Sequence, residues 1–213
     1  MRRAIALGRA AGFALIEVLV TLVVLLIGLI GLAGLSARAN LSEMESYQRD
    51  QALLLLQDMV DRLNANRGVA PCYANSVATP LNTVQVGPSA AVGYTGVPAA
   101  ATCTLTADLN GNPIQAAQVS QALTTDLPAW QSAILGAAEV QGGSNVGAML
   151  GAIGCIRQID ATNNIYLLSV SWQGLTDTVA PTDATGTPCG SGNYGAETKH
   201  RMVTATVQIA KLT

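Results

Sequence analysis

The sequence predicts an α+β fold, one long N-terminal helix packed on an antiparallel β-sheet. Three observations lead there. Residues 36–66 contain neither proline nor glycine and are rich in helix formers, directly after an apolar run. Two later stretches, 154–173 and 201–210, alternate apolar and polar residues in the manner of half-buried strands. The chain between and around them is rich in Gly, Pro, Thr and Asn, which are turn and loop residues.

The chain has 213 residues, of which 50% are hydrophobic and only 11% charged. Its mean hydropathy of +0.37 is high for a soluble domain, but the apolar excess is concentrated near the N-terminus. A formal net charge of −2, with no basic stripe beyond the first residues, gives no electrostatic footprint for nucleic acid. His200 is the single histidine, and the acids are scattered. No nucleophile–base set, phosphate loop or C-x-x-C pattern is present, so neither an enzyme, a cofactor nor a metal site is expected. Cys72, Cys103, Cys155 and Cys189 all follow the apolar segment. An even count on one side of a membrane helix suggests two disulfides in an oxidising compartment.

Residues 1–12 are short and basic, carrying Arg2, Arg3 and Arg9 and no acid. The following run from Phe13 to Leu35 spans 23 residues, enough to cross the roughly 30 Å hydrocarbon core as a helix. Positive charge before the run places the N-terminus in the cytoplasm and the remainder outside. The run exceeds the roughly 7–15 residues of a secretory h-region, and no small-residue cleavage site follows it. Glu17 stands near its start. A carboxylate in a membrane segment is costly, and such a residue points to a use.

Gly12-Phe13-Ala14-Leu15-Ile16-Glu17-Val18-Leu19 resembles the class III signal of type IV prepilins and type II secretion pseudopilins. Ala14 departs from the Thr or Ser more common in that family. The resemblance implies cleavage between Gly12 and Phe13 by a prepilin peptidase, N-methylation of the Phe13 amine by the same enzyme, and assembly into a filament. Gly12 and Phe13 are then substrate residues of another enzyme. Glu17 is expected to dock the subunit by pairing with a neighbour's Phe13 ammonium, because an unpaired carboxylate among packed apolar helices is strongly penalised. The alternative is an acid that stays hydrated among headgroups. Gly28, Gly31 and Gly34 suit close helix packing through small residues; the competing reading is a weak point in the helix.

Beyond Leu35, the residues Leu41, Met44, Ala52, Leu55 or Leu56, Met59 and Leu63 recur at three- and four-residue steps, with Tyr47 or Gln48 between Met44 and Ala52. That pattern predicts a continuous helix from Phe13 to about Asn66, roughly 80 Å long at 1.5 Å per residue. Arg67 and Gly68 then read as a C-terminal cation and C′ glycine, with Pro71 beyond. Residues 68–113 read as loop with short extended pieces. Asp108-Leu109-Asn110-Gly111-Asn112 looks superficially like a calcium loop, but Pro113 and Val119 break that pattern and an Asn-Gly turn is expected.

Residues 114–136 are expected to be helical, with Asp126 as an N-cap, Pro128 in the first turn, Trp130, Ile134 and Leu135 facing the core, and Gly142-Gly143 as terminator. Residues 154–159 and 165–173 are expected to form a hairpin about 160–164. In its second strand, Tyr166, Leu168, Val170 and Trp172 form the expected core face. Residues 201–210 supply a last strand, and 174–199 a loop holding Cys189. Four cysteines allow three pairings; Cys72–Cys103 and Cys155–Cys189 are favoured because each closes a local loop. His200 reads as a structural or surface histidine.

The order of strand, turn, long Ser-x-Trp strand, cysteine loop and last strand resembles the PilV group of minor pilins, the type IV pilus modification proteins. The resemblance is specific in residues 12–35 and suggestive beyond. It implies a pilin fold with four parts: leader 1–12, transmembrane helix 13–35, periplasmic helix 36–67 and globular domain 68–213. It also implies a single-pass inner-membrane subunit, later at the cell surface, that joins the major pilin and other minor pilins to prime pili for motility and adhesion. A type II secretion pseudopilin, or a membrane-anchored adhesin or DNA-uptake pilin, are the alternatives.

Overall fold

A computed structural model describes residues 14–74, 83–86, 103, 105–145, 147 and 149–211. The chain divides into two compact units, residues 1–44 and 45–213. Helix α1 runs from Leu15 to Ala65, 51 residues. In the first unit its side chains are exposed all round, Leu25, Ile27, Leu29, Ile30 and Leu32 among them. This segment is long and apolar enough to cross a membrane. The helix passes unbroken through Gly28, Gly31 and Gly34, with open space where each β-carbon would stand.

In the second unit α1 is one-sided. Ala52, Leu56, Met59 and Leu63, spaced by four, three and four residues, are buried. The helix ends differently from the sequence expectation. Asn66 leaves helical geometry (φ −112°, ψ 36°), and the chain then re-enters helix through a 3₁₀ turn, Arg67–Val69, and α2, Ala70–Ala74. Gly68 is not left-handed and so is not a C′ cap. Pro71 falls in the first turn of α2, where its missing N–H costs nothing.

Strand β1, Thr83–Val86, follows. Helix α3, Ala116–Ser120, runs through a π-helical segment, Gln121–Asp126, into α4, Leu127–Ile134. Gly136 (φ 63°) ends this run, not Gly142-Gly143. Those two glycines, at φ 59° and 83°, instead form the turn between the short strands β2, Val140–Gln141, and β3, Ser144–Asn145. The main sheet adds β4, Ile153–Asp160, β5, Ile165–Gln173, and β6, His200–Gln208. Its order is β1-β4-β5-β6, all antiparallel. The fold is α+β.

At β5 and the first part of β4 the sheet is buried on both faces. Toward the helices, Tyr166, Leu168, Val170 and Trp172 of β5 join Ile156, Val203, Trp130, Ile134 and the α1 residues in one core. Trp130 is anchored by its indole N–H, which donates to the Leu55 carbonyl at 2.8 Å. Leu135 is only partly buried. On the other face Ser169 and Ser171 are buried too, although the alternation of β5 marks that face as polar. Residues 174–199 cover it. Ile153, Cys155, Cys189 and Tyr194 form a second cluster there, with Met202 against it.

At Gly154 of β4 the side chains of α4 press onto the sheet backbone. A β-carbon there would lie 2.5 Å from both Ile134 Cδ1 and Trp130 Cη2. Gly154→Ala is expected to destabilise by about 1–3 kcal/mol, as overpacking of a full core does. Thermal unfolding of the detergent-solubilised chain measures this; an unchanged melting temperature would mean the helix seat is not tight.

Candidate functional site

Two regions hold the residues singled out from the sequence. The first is the start of α1. Gly12 and Phe13 lie outside the described residues. Glu17 is in the first turn of α1, its amide donating to the Ala14 carbonyl at 2.9 Å, and its side chain is exposed. An acid in the first turn is favoured by the helix dipole as well as by the free amides of that turn. Thr21 donates its hydroxyl back to the Val18 carbonyl at 2.9 Å, so its polar group is satisfied within the helix. Glu17 is therefore the exposed charge at the head of an exposed apolar rod.

The second region lies at the two faces of the sheet, where polar groups tie the unit together. Cys72 is bonded to Cys103 and Cys155 to Cys189, with Cα–Cα distances of 5.1 and 5.9 Å. The second bond pins the 174–199 loop to β4. Arg157, also on β4 and two residues along the same face, makes a buried ion pair with Asp183 at 3.7 Å. It also donates to the Thr187 carbonyl at 3.1 and 3.2 Å through its two amino groups, and to the Thr185 hydroxyl. Ser171 and Tyr194 share a hydroxyl hydrogen bond of 2.8 Å. At the loop's start, Glu45 of α1 accepts from the Thr176 hydroxyl at 2.7 Å and its amide at 3.0 Å, and pairs with Arg201 at 3.3 Å. Burial pushes the Glu45 carboxyl up, but the Thr176 bonds and Arg201 outweigh it and hold it below its ordinary value.

Asp126 does not cap α4. Its backbone is helical (φ −70°, ψ −50°) because the π-helical segment carries the helix straight through it, and its side chain makes no cap bond. The wide π turn aims the carboxylate inward instead. There it accepts from the Tyr73 hydroxyl, from Gln121 at 2.9 Å and from Arg62 of α1 at 3.4 Å. Asn66 completes the cluster, donating to Tyr73 at 3.2 Å and to the Gln118 carbonyl at 2.8 Å. Burial first, then the Asp126 carboxylate, raises the Tyr73 phenol well above its ordinary value, keeping it a neutral donor. This polar clasp joins the end of α1, α2 and the π turn.

Residues 108–112 form the Asn-Gly turn, with Gly111 at φ 84° and Asp108 Oδ1 accepting the amides of Asn110 and Asn112 at 2.9 and 2.8 Å. His200 is fully enclosed at the mouth of the loop. Sequence reasoning missed the Glu45, Arg157, Asp183 and Asp126 contacts. One signal was present: Arg157 shares a strand face with Cys155, and a charge there demands a buried partner.

Comparison with protein-family models, with curated proteins and with solved structures gave no match. Fold and site define an α+β chain that has, among the described residues, one exposed, membrane-length N-terminal helix and two disulfides.

Removing the loop bond by a Cys155→Ala, Cys189→Ala double change opens a crosslink spanning 34 residues. The expected loss is about 3–4 kcal/mol in the chain-entropy model, read by denaturant unfolding. Acid should weaken the same unit. Glu45, Glu197, Asp108 and Asp160 are all held below their ordinary values, the two aspartates by backbone amides. The folded state therefore binds fewer protons than the unfolded one, so their stabilisation is present above the ordinary carboxylate range and is lost as pH falls through the folded values. The melting temperature should drop below about pH 4.5, and Glu45→Gln should flatten that drop.

Proposed function

We propose that the chain is a membrane-anchored filament subunit of the pilin type, a minor pilin of the PilV group. The observation that carries this reading is Gly12-Phe13 followed by Glu17 at the head of an uninterrupted apolar helix. A signal peptide or plain anchor requires neither the Gly-Phe junction nor an acid at that place. In this reading, residues 1–12 are removed by prepilin peptidase in the inner membrane and the Phe13 amine is methylated. The helix then passes from lipid into a bundle of like helices, and residues 45–211 stand in the periplasm and later on the pilus. The exposed apolar surface of α1 supports this, since soluble monomers rarely leave so continuous a patch open. Two disulfides suit an oxidising compartment.

Glu17 then supplies register. In the bundle its carboxylate meets the ammonium of a neighbour's Phe13, and a subunit displaced along its neighbour would bury both charges unpaired. Co-expression with a prepilin peptidase should yield a mature chain beginning at N-methylated Phe13, identified by mass spectrometry. Glu17→Leu should still insert and be cleaved, but its recovery in sheared pili should fall at least tenfold. An uncleaved chain in the presence of active peptidase defeats the pilin reading. Normal recovery of the Glu17→Leu subunit defeats the docking role.

A further inference from the structure

His200 begins β6 where the 174–199 loop returns to the sheet, and its side chain is 0% exposed. Ring atom Nδ1 stands 2.8 Å from Glu197 Oε2, and Nε2 stands 2.9 Å from the Cys189 carbonyl oxygen. Both neighbours accept. A carbonyl has no proton to give. The Glu197 carboxylate takes the Gly192 amide at 2.6 Å, and that bond, followed by the His200 contact, holds it below the ordinary carboxylate range. A neutral imidazole has one N–H, and two simultaneous contacts of this kind take two.

We infer that His200 is a proton-operated latch: carrying both ring protons it closes loop 189–197 onto the sheet, and on losing one it releases the Cys189 carbonyl. The order of release follows from charge. The proton between Nδ1 and the carboxylate belongs to the stronger, charge-assisted bond and stays. The Nε2 lone pair then faces the lone pairs of the Cys189 oxygen, and the two repel. Cys189 is itself tethered to Cys155, so the movement falls on the residues after it. Gly190, Gly192 and Gly195, at φ 79°, 82° and 73°, make that stretch a natural hinge.

The other groups around the ring fit this assignment. The Tyr194 ring lies 4.8 Å away, centroid to centroid, tilted by 41°. Its hydroxyl is held by Ser171 and the Gly151 carbonyl. The Cys155–Cys189 disulfide has no proton to exchange. Lys199 and Arg201 flank His200 in sequence, and the Arg201 guanidinium is turned to Thr176, Thr198 and Glu45. Asp177 accepts from the Thr198 hydroxyl. Glu197 is thus the carboxylate in contact with the ring.

The closed loop binds one more proton than the released loop. Closing is therefore favoured as pH falls and is weakened as pH rises, by at most about tenfold per pH unit. Amide hydrogen exchange of the full chain in detergent micelles, corrected for intrinsic rates between roughly pH 5 and 8, reads this out. Protection at Gly192 and Asn193 should fall with rising pH, while Leu168 and Val170 in β5 stay constant. Ring ¹⁵N shifts should move from doubly protonated to a single tautomer over the same range. His200→Gln should remove the pH dependence. If that variant does not fold, Glu197→Gln, at a carboxylate 42% exposed, should displace the transition to lower pH. A ring that is one neutral tautomer throughout, or a pH dependence that survives unshifted in the variants, overturns the latch.

Discussion

The unit from Glu45 onward depends on one apolar seam, where Ala52, Leu56, Met59 and Leu63 of α1 meet Tyr166, Leu168, Val170 and Trp172 of β5. Each large side chain sealed there contributes about 1.5–3 kcal/mol relative to exposure, more than the roughly 0–1 kcal/mol of an exposed ion pair. The seam also sets geometry. β5 is central, so the placement of β4 and β6 follows from its register, Ile156 beside Leu168 and Val203 beside Val170. Trp130 seals the seam from α4, and the bare backbone at Gly154 gives that helix room.

The far face of the sheet is held by different physics. Residues 174–199 contain few large apolar side chains, so burial alone cannot order a segment of that length. It is fastened instead by directional contacts: the Cys155–Cys189 bond, the Arg157–Asp183 pair, the Ser171–Tyr194 hydrogen bond and the Glu45–Arg201–Thr176 cluster. A buried pair such as Arg157–Asp183 adds little net stability, but separating it leaves a charge unpaired in the interior. Its role is to permit one loop placement and penalise the rest. The face of β5 that alternation assigns to solvent thereby becomes interior.

The regular elements were legible because their periods are strong. Repeats at three and four residues marked α1, and two-residue alternation marked β5 and its core face. The errors cluster where a local rule met a tertiary demand. Asp126 before Leu127-Pro128 has the local form of an N-cap, yet Tyr73 and Arg62 lie far off in sequence and claim its carboxylate. Gly68 has the local form of a C′ residue, yet Pro71 and Cys72 favour another helical turn against the core. Gly142-Gly143 resembles a helix stop, but Gly136 ends the helix first and the pair serves a hairpin.

By itself the sequence determined the long apolar-to-amphipathic helix, the two main strands and the acid at position 17, because each follows from spacing along the chain. Only the tertiary structure decided that the polar face of β5 is buried, that Asp126 belongs to a clasp, and that a lone histidine bridges two acceptors. Those facts depend on at least one distant partner each, as Cys189 is 11 residues from His200 and Arg62 is 64 from Asp126. Local periodicity carries no information about such pairs, since loop closure brings them together only after the apolar seam has formed.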